Sequence, residues 1–211
     1  MSMRRVALIA LVLPGIALAH PLGNFTTNRY AALLVEPTGV RIAYAVDMAE
    51  LPAYRELRGL DTDGDGRIAS SERDAWTPRQ AAELARGLEL THDGVRLALA
   101  PLVTALEVEP GAGGLPTIRF DVTYRAALAA PTGVLAFRDR TFAGRPGWQE
   151  VVATAGDGVA LVDSTVPVRD VSGMLRAYPD DLMQAPPRVS EARMALAPGD
   201  GGHRSAPSPA P

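Results

Sequence analysis

Residues 117–124 read Thr-Ile-Arg-Phe-Asp-Val-Thr-Tyr, so that Ile118, Phe120, Val122 and Tyr124 alternate with Thr117, Arg119, Asp121 and Thr123. A period of two puts the four apolar side chains on one face of an extended chain, the mark of a strand lying on a core. The same reading spreads outward. Residues 24–48 form two strands around Pro37-Thr38-Gly39. The second places Val40, Ile42, Tyr44, Val46 and Met48 on one face, with Arg41 and Asp47 on the other. Stretches 88–91 and 95–99 flank His92-Asp93-Gly94, where Asp-Gly favours a hairpin turn. Stretch 102–109 alternates, with Leu102, Leu106 and Val108 on one side, and Gly111-Ala112-Gly113-Gly114 then turns the chain into the 117–124 strand. Shorter strands are expected at 133–138, 148–154, 158–162 and 188–196. Many short strands separated by turn residues predict a mainly β domain, a β-sandwich of the immunoglobulin-like kind.

Residues 50–88 break this pattern with helical spacing around a Gly/Asp-rich centre. Within them, residues 61–72 read Asp-Thr-Asp-Gly-Asp-Gly-Arg-Ile-Ala-Ser-Ser-Glu and match the EF-hand calcium loop at every specified position. Ca²⁺ is a hard cation that takes about six to eight oxygen ligands. Asp61, Asp63 and Asp65 offer short carboxylates at loop positions 1, 3 and 5. Gly66 permits the sharp turn, Arg67 offers its backbone carbonyl, and Glu72 closes the loop as a bidentate ligand. Ala69 has no ligating side chain, so a water is expected in its place. Ile68 occupies the position that returns to the core. Ahead of the loop, Leu51, Tyr54 and Leu57 recur at spacing three as a helix stripe. Behind it, Ser70 is expected to cap a short exit helix. Thr77-Pro78-Arg79-Gln80 then reads as a capping box opening a second helix, whose stripe is Ala81, Leu84, Ala85 and Leu88. A single loop without a second copy is expected to act as a structural clip rather than a switch, at the weak extracellular end of affinity, on the order of 10⁻⁴–10⁻³ M.

The chain of 211 residues is 47% hydrophobic and 21% charged, a globular composition with room for a core. It carries 21 basic residues, all arginine, against 24 acidic ones, for a net charge of -3. Neither that balance nor 5% aromatics suits a nucleic-acid binder, which needs a basic face or stacking platforms. With no cysteine, disulfides, thiolate metal sites and Cys nucleophiles are all excluded. Arg4 and Arg5 precede the apolar stretch 6–19, which ends in Ala17-Leu18-Ala19 and is short for a membrane span. This fits a signal peptide over 1–19, cleaved before His20, and predicts a periplasmic or secreted protein with no membrane span in the mature chain. The sandwich domain is expected over 20–197, with the EF-hand insertion at about 50–88. The Pro/Gly/Ser-rich tail 198–211 is expected to be disordered.

His20-Pro21-Leu22-Gly23-Asn24-Phe25-Thr26-Thr27-Asn28-Arg29-Tyr30, with Tyr44-Ala45-Val46-Asp47-Met48-Ala49-Glu50-Leu51-Pro52, resembles the extracytoplasmic N-terminal region of bacterial nickel/cobalt transporter (NicO-like) proteins. Gly144-Arg145-Pro146-Gly147-Trp148-Gln149-Glu150 and Tyr178-Pro179-Asp180-Asp181-Leu182 are similar as well. In that family a membrane domain follows, whereas this sequence holds no transmembrane stretch after the leader. The resemblance implies an ectodomain or accessory module, working beside a separately encoded metal permease.

His20 would become the mature N-terminus, where its α-amine and imidazole together chelate Cu²⁺ or Ni²⁺. Only His92 and His203 are available as a further imidazole. Trp76 and Trp148 read as core aromatics. Ser164, Ser172 and Ser190 lack a nucleophile elbow, so enzyme activity is not expected. Three functions follow: an exported calcium-binding module related to nickel/cobalt transport, a periplasmic transition-metal capture protein using His20, and a purely structural sandwich stiffened by calcium.

Overall fold

The computed structural model describes residues 20–199, so the leader and residues 200–211 of the tail lie outside the described residues. In chain order the strands are β1 (Thr27–Glu36), β2 (Gly39–Met48), β3 (Leu88–His92), β4 (Val95–Arg96), β5 (Ala100–Pro110), β6 (Pro116–Ala127), β7 (Gly133–Asp139), β8 (Gln149–Ala155), β9 (Val159–Ser164) and β10 (Glu191–Pro198). Helices α1 (Glu50–Leu60) and α2 (Ser70–Gly87) lie between β2 and β3, and the short α3 (Asp180–Met183) precedes β10. One sheet has the order β5-β6-β2-β1-β8, and the other β4-β3-β7-β10-β9. All ladders between named strands are antiparallel except β1 with β8, which is parallel.

The alternating strands do what their pattern requires. Ile42, Tyr44 and Val46 of β2 and Phe120 and Tyr124 of β6 share one core with Leu90, Phe137 and Met194 from the other sheet. Burying each such large side chain contributes roughly 1.5–3 kcal/mol. The Asp-Gly turn behaves as its residues demand: Asp93 and Gly94 have φ of 48° and 81°, the double positive φ of a type I′ hairpin.

Four sequence expectations need correction. The stripe Leu51, Tyr54, Leu57 is only partly the core-facing side of α1. Leu57 packs against the core, but Tyr54 is 52% exposed, and Ala53 and Leu60 are the fully buried residues. Ser70 is not a cap, because α2 starts on it and Ala69 occupies the N-cap position. Thr77-Pro78 does not open a new helix either: α2 runs unbroken through Pro78. Trp76 at its centre meets Phe120 edge-on at 5.1 Å, and the Tyr124 hydroxyl donates to the Ala81 carbonyl at 2.7 Å. Packing on both sides of the proline therefore holds the helix together. Finally, Leu102 is not on the core side of β5. The register shifts between Pro101 and Val103, leaving Leu102 as the extra residue of a bulge, 55% exposed.

Boundaries also move. β4 ends at Arg96 rather than residue 99, and β10 runs from Glu191 through Pro198, so the first tail residue belongs to the fold. The outward face of the first sheet is not left to solvent. Tyr30, Ala45, Trp148, Val152 and Leu175 form a second apolar cluster there, with Leu22, Met174 and Tyr178 packed against it. Strand β2 is thus covered on both faces near its end, and Asp47, on the face opposite Val46 and Met48, lies beneath Tyr178.

Candidate functional site

The loop between α1 and α2 is built by its own acids. The Asp61 N–H closes the last turn of α1 on the Leu57 carbonyl at 2.8 Å. Its carboxylate accepts from the N–H of Gly64 at 2.8 Å and of Gly66 at 3.0 Å. Asp63 accepts from Asp65 N–H at 3.1 Å, and Asp65 from Arg67 N–H at 2.7 Å. Gly64 and Gly66 have φ of 74° and 78°, where a side chain would be strained. Ile68 turns back and packs against the core.

This folding gathers one carboxylate oxygen from each of Asp61, Asp63 and Asp65 within 4.8 Å of the others. Oxygens on opposite sides of one Ca²⁺ stand about 5 Å apart, so the three acids fit a single ion of that size. All are at least partly exposed, so their charges remain solvated when no ion is present. Arg67 is exposed, with its carbonyl in the loop.

Glu72 is not part of that cluster. Its Oε1 accepts from the Thr62 N–H at 2.5 Å and the Thr62 hydroxyl at 2.8 Å, and its Oε2 from the Ala69 N–H at 3.0 Å. The Thr62 N–H, then the Thr62 hydroxyl and the Ala69 N–H, hold its carboxyl below the usual carboxylate range. In this arrangement Glu72 serves as the reach-back half of a capping box on the first turn of α2. Ligation would require it to release those donors.

A second polar site forms where the four quoted segments meet. His20 is 8% exposed, and its Nε2 lies 2.7 Å from Asp47 Oδ2, which can only accept, so Nε2 carries a proton. Nδ1 faces the Leu22 N–H at 3.4 Å and the Thr26 hydroxyl at 3.5 Å. The same Asp47 oxygen accepts from the Tyr178 hydroxyl at 2.6 Å and from Asn28 Nδ2 at 3.4 Å. Burial pushes the Asp47 carboxyl up. The hydrogen bond and charge of His20, with the bonds from Tyr178 and Asn28, more than offset this and hold it below its ordinary value. Burial and the Asp47 charge drive the Tyr178 hydroxyl well above its own.

Asn28 passes the network onward, accepting from the Trp148 N–H at 2.9 Å. The fully buried Trp148 ring donates to Glu150 at 2.8 Å and meets Tyr178 edge-on at 5.4 Å. Glu150 in turn takes the Val171 N–H at 2.7 Å and the Ser172 hydroxyl at 2.6 Å. Asp47, Glu150 and Tyr178 were not singled out as individual sites by sequence reasoning. All three lie within the segments 44–52, 144–150 and 178–182 quoted above.

His92 is engaged elsewhere: its Nε2 lies 2.6 Å from the Thr132 carbonyl. His203 lies outside the described residues. Among the described residues, the acids of the 61–65 loop are the only group of three or more His, Asp or Glu side chains spaced to hold a metal ion. No helix among them is long and apolar enough to cross a membrane. Compared with protein families, curated proteins and solved structures, the chain matches none.

Proposed function

We propose that this chain is an exported calcium-binding module of the EF-hand type, periplasmic or secreted, that serves as an accessory or ectodomain partner in nickel/cobalt transport. The observation that carries the calcium reading is the convergence of Asp61, Asp63 and Asp65 within 4.8 Å in a loop between two helices, with Gly66 at its positive-φ turn. Arg67, by its carbonyl, and Glu72, once released from Thr62 and Ala69, would complete the ligand set. The four quoted segments and the leader support the transport and export readings. The immunoglobulin-like reading of the sandwich rests on the antiparallel ladders of the two sheets.

Within this reading the ion is a structural clip. The helices on either side of the loop bury Leu60 and Trp76 in the common core, so an ion joining Asp61 to Glu72 ties two core-anchored helices together. A ligand that binds only the folded state stabilises it by RT ln(1 + [L]/Kd). Thermal melts in EGTA, then with Ca²⁺, Mg²⁺ and Ni²⁺, test this against Asp61→Ala. A rise selective for Ca²⁺ and lost in the variant is expected. A flat calcium response sinks the calcium reading, and a rise with Ni²⁺ alone transfers the site to His20. The transport reading is tested separately, by deleting the gene and measuring nickel and cobalt tolerance, which should change.

A further inference from the structure

Glu50, the first residue of α1, is 1% exposed. Its Oε1 accepts the Ala112 N–H at 2.9 Å and lies 3.4 Å from the backbone nitrogen of His20. Its Oε2 is buried with no hydrogen-bond partner. Gly111 closes over the side chain so tightly that a Cβ there would come within 2.8 Å of Glu50 Cγ. Among the described residues no arginine forms an ion pair with Glu50. The start of a helix favours a negative charge, but it supplies no donor to this oxygen. A buried carboxylate with one oxygen unmatched is costly, and it marks a missing donor or cation.

The nearest nitrogen that can change its chemistry is that of His20. Joined to residue 19 it is an amide with a single hydrogen, and 3.4 Å is long for the one bond it makes. Hydrolysis of the 19–20 bond by a leader peptidase adds water across that amide. The C–N bond breaks, the hydroxyl goes to the Ala19 carbonyl carbon, and the hydrogen goes to the His20 nitrogen. At neutral pH the new acid gives up its proton and the new amine takes one, which leaves an α-ammonium with three donors and a full positive charge. The His20 ring is pinned by Asp47, so this charge is created beside Glu50.

We propose that the mature amino terminus is the missing partner of Glu50: leader removal creates an α-ammonium that pairs with both Glu50 oxygens and locks the chain start, α1 and the 111–115 turn together. The inference rests on the export reading of residues 1–19. Processing would then complete the fold, leaving the precursor looser than the mature protein.

The test compares residues 20–211, released from a fusion by a protease that cuts directly before His20, with residues 19–211, in which Ala19 displaces the amine. Each is made with Glu50 and with Glu50→Gln. The free-amine protein should melt roughly 5–15 °C above the Ala19-bearing one, and Glu50→Gln should lower the first far more than the second. Equal melting of the two chains, or an equal cost of Glu50→Gln in both, overturns the pairing. Reductive methylation of the α-amine, read by mass spectrometry under conditions where both proteins are folded by circular dichroism, gives a second measurement. The free amine should react roughly tenfold or more slowly in the folded protein than in Glu50→Gln, and equal rates overturn the proposal. N-terminal sequencing of the exported protein separates the two ideas. His20 as first residue supports the proposal, whereas any other first residue refutes it at the export step while the melting comparison still judges the pair.

Discussion

Glu72 holds Thr62 twice, with Oε1 accepting both its N–H and its hydroxyl across the mouth of the loop. On the calcium reading, the oxygen that the ion would take is therefore already engaged. Thr62→Ala removes one of the two donors and leaves the backbone bond in place. The expected outcome is a calcium-free protein that melts a few degrees lower, because a partly buried hydrogen bond is lost. Calcium should bind more tightly, because Glu72 has less to release. Isothermal titration with Ca²⁺ beside melts in EGTA checks both signs, and weaker calcium binding in the variant would refute the competition.

Asp47 makes the fold acid-sensitive. Its folded carboxyl lies below the unfolded value, so the stability it contributes is fully present above the unfolded pKa of about 4 and is lost as pH falls through the folded one. Glu50 and Glu72 are shifted in the same direction and act in the same window. Wild-type stability should hold down to about pH 4 and then fall. Asp47→Asn should cost about 1–3 kcal/mol at pH 7 by weakening the bonds from His20 and Tyr178, and it should make the acid limb shallower. Urea titrations from pH 7 to pH 2.5 check this. A variant with the wild-type slope below pH 4 would show that Asp47 is not among the groups responsible.

The strands were legible because alternation is local: Val40 to Met48 and Ile118 to Tyr124 declare their faces without any knowledge of their partners. The convergence of Asp61, Asp63 and Asp65 was legible for the same reason, since their spacing is carried by nearly consecutive residues. Much of what sequence reasoning missed depends on contacts made far along the chain. Pro78 looks like a helix start until Trp76 finds Phe120 and Ala81 finds Tyr124. Asp47 looks solvent-facing until Tyr178, 131 residues later, covers it. Leu102 follows the alternation of its neighbours, and only the ladder with β6 reveals the bulge that turns it outward. Glu72 fits a ligand pattern, yet nothing in that pattern shows that Thr62 and Ala69 claim its oxygens first.

Pro78 gives a direct measure of how strongly packing overrides local preference. It lies inside α2, has no N–H to offer the Asp74 carbonyl, and crowds that turn. The Arg79 side chain donates to the next carbonyl, that of Ala75, at 2.9 Å. Pro78→Ala restores the missing donor and the better helix former, so stability should rise by about 1–3 kcal/mol. Urea unfolding followed by circular dichroism reads the change. A loss of stability would mean that the proline itself helps to seat Trp76 on Phe120.

Glu150 is the anchor of the segment that covers the first sheet. Three donors converge on its carboxylate: the indole of Trp148, the N–H of Val171 and the hydroxyl of Ser172. Just beyond, Met174 and Leu175 have φ of 60° and 65°, a conformation that costs non-glycine residues energy and persists only where neighbours enforce it. Leu175 is 4% exposed, held under that turn by its N–H on the Ser172 hydroxyl at 3.0 Å. Glu150→Ala leaves a buried indole N–H without a partner and frees the turn that seats Leu175 and, further on, Tyr178. The expected loss is about 3–5 kcal/mol, with hydrogen exchange accelerating at residues 171–178 more than in β2 or β6. Glu150→Gln keeps one accepting oxygen but turns an amine toward the remaining donors, so it should fall between wild type and the alanine variant. If the alanine variant loses under about 1 kcal/mol, or exchange quickens evenly across both sheets, apolar burial of Trp148 and Leu175 rather than the carboxylate holds the cover in place.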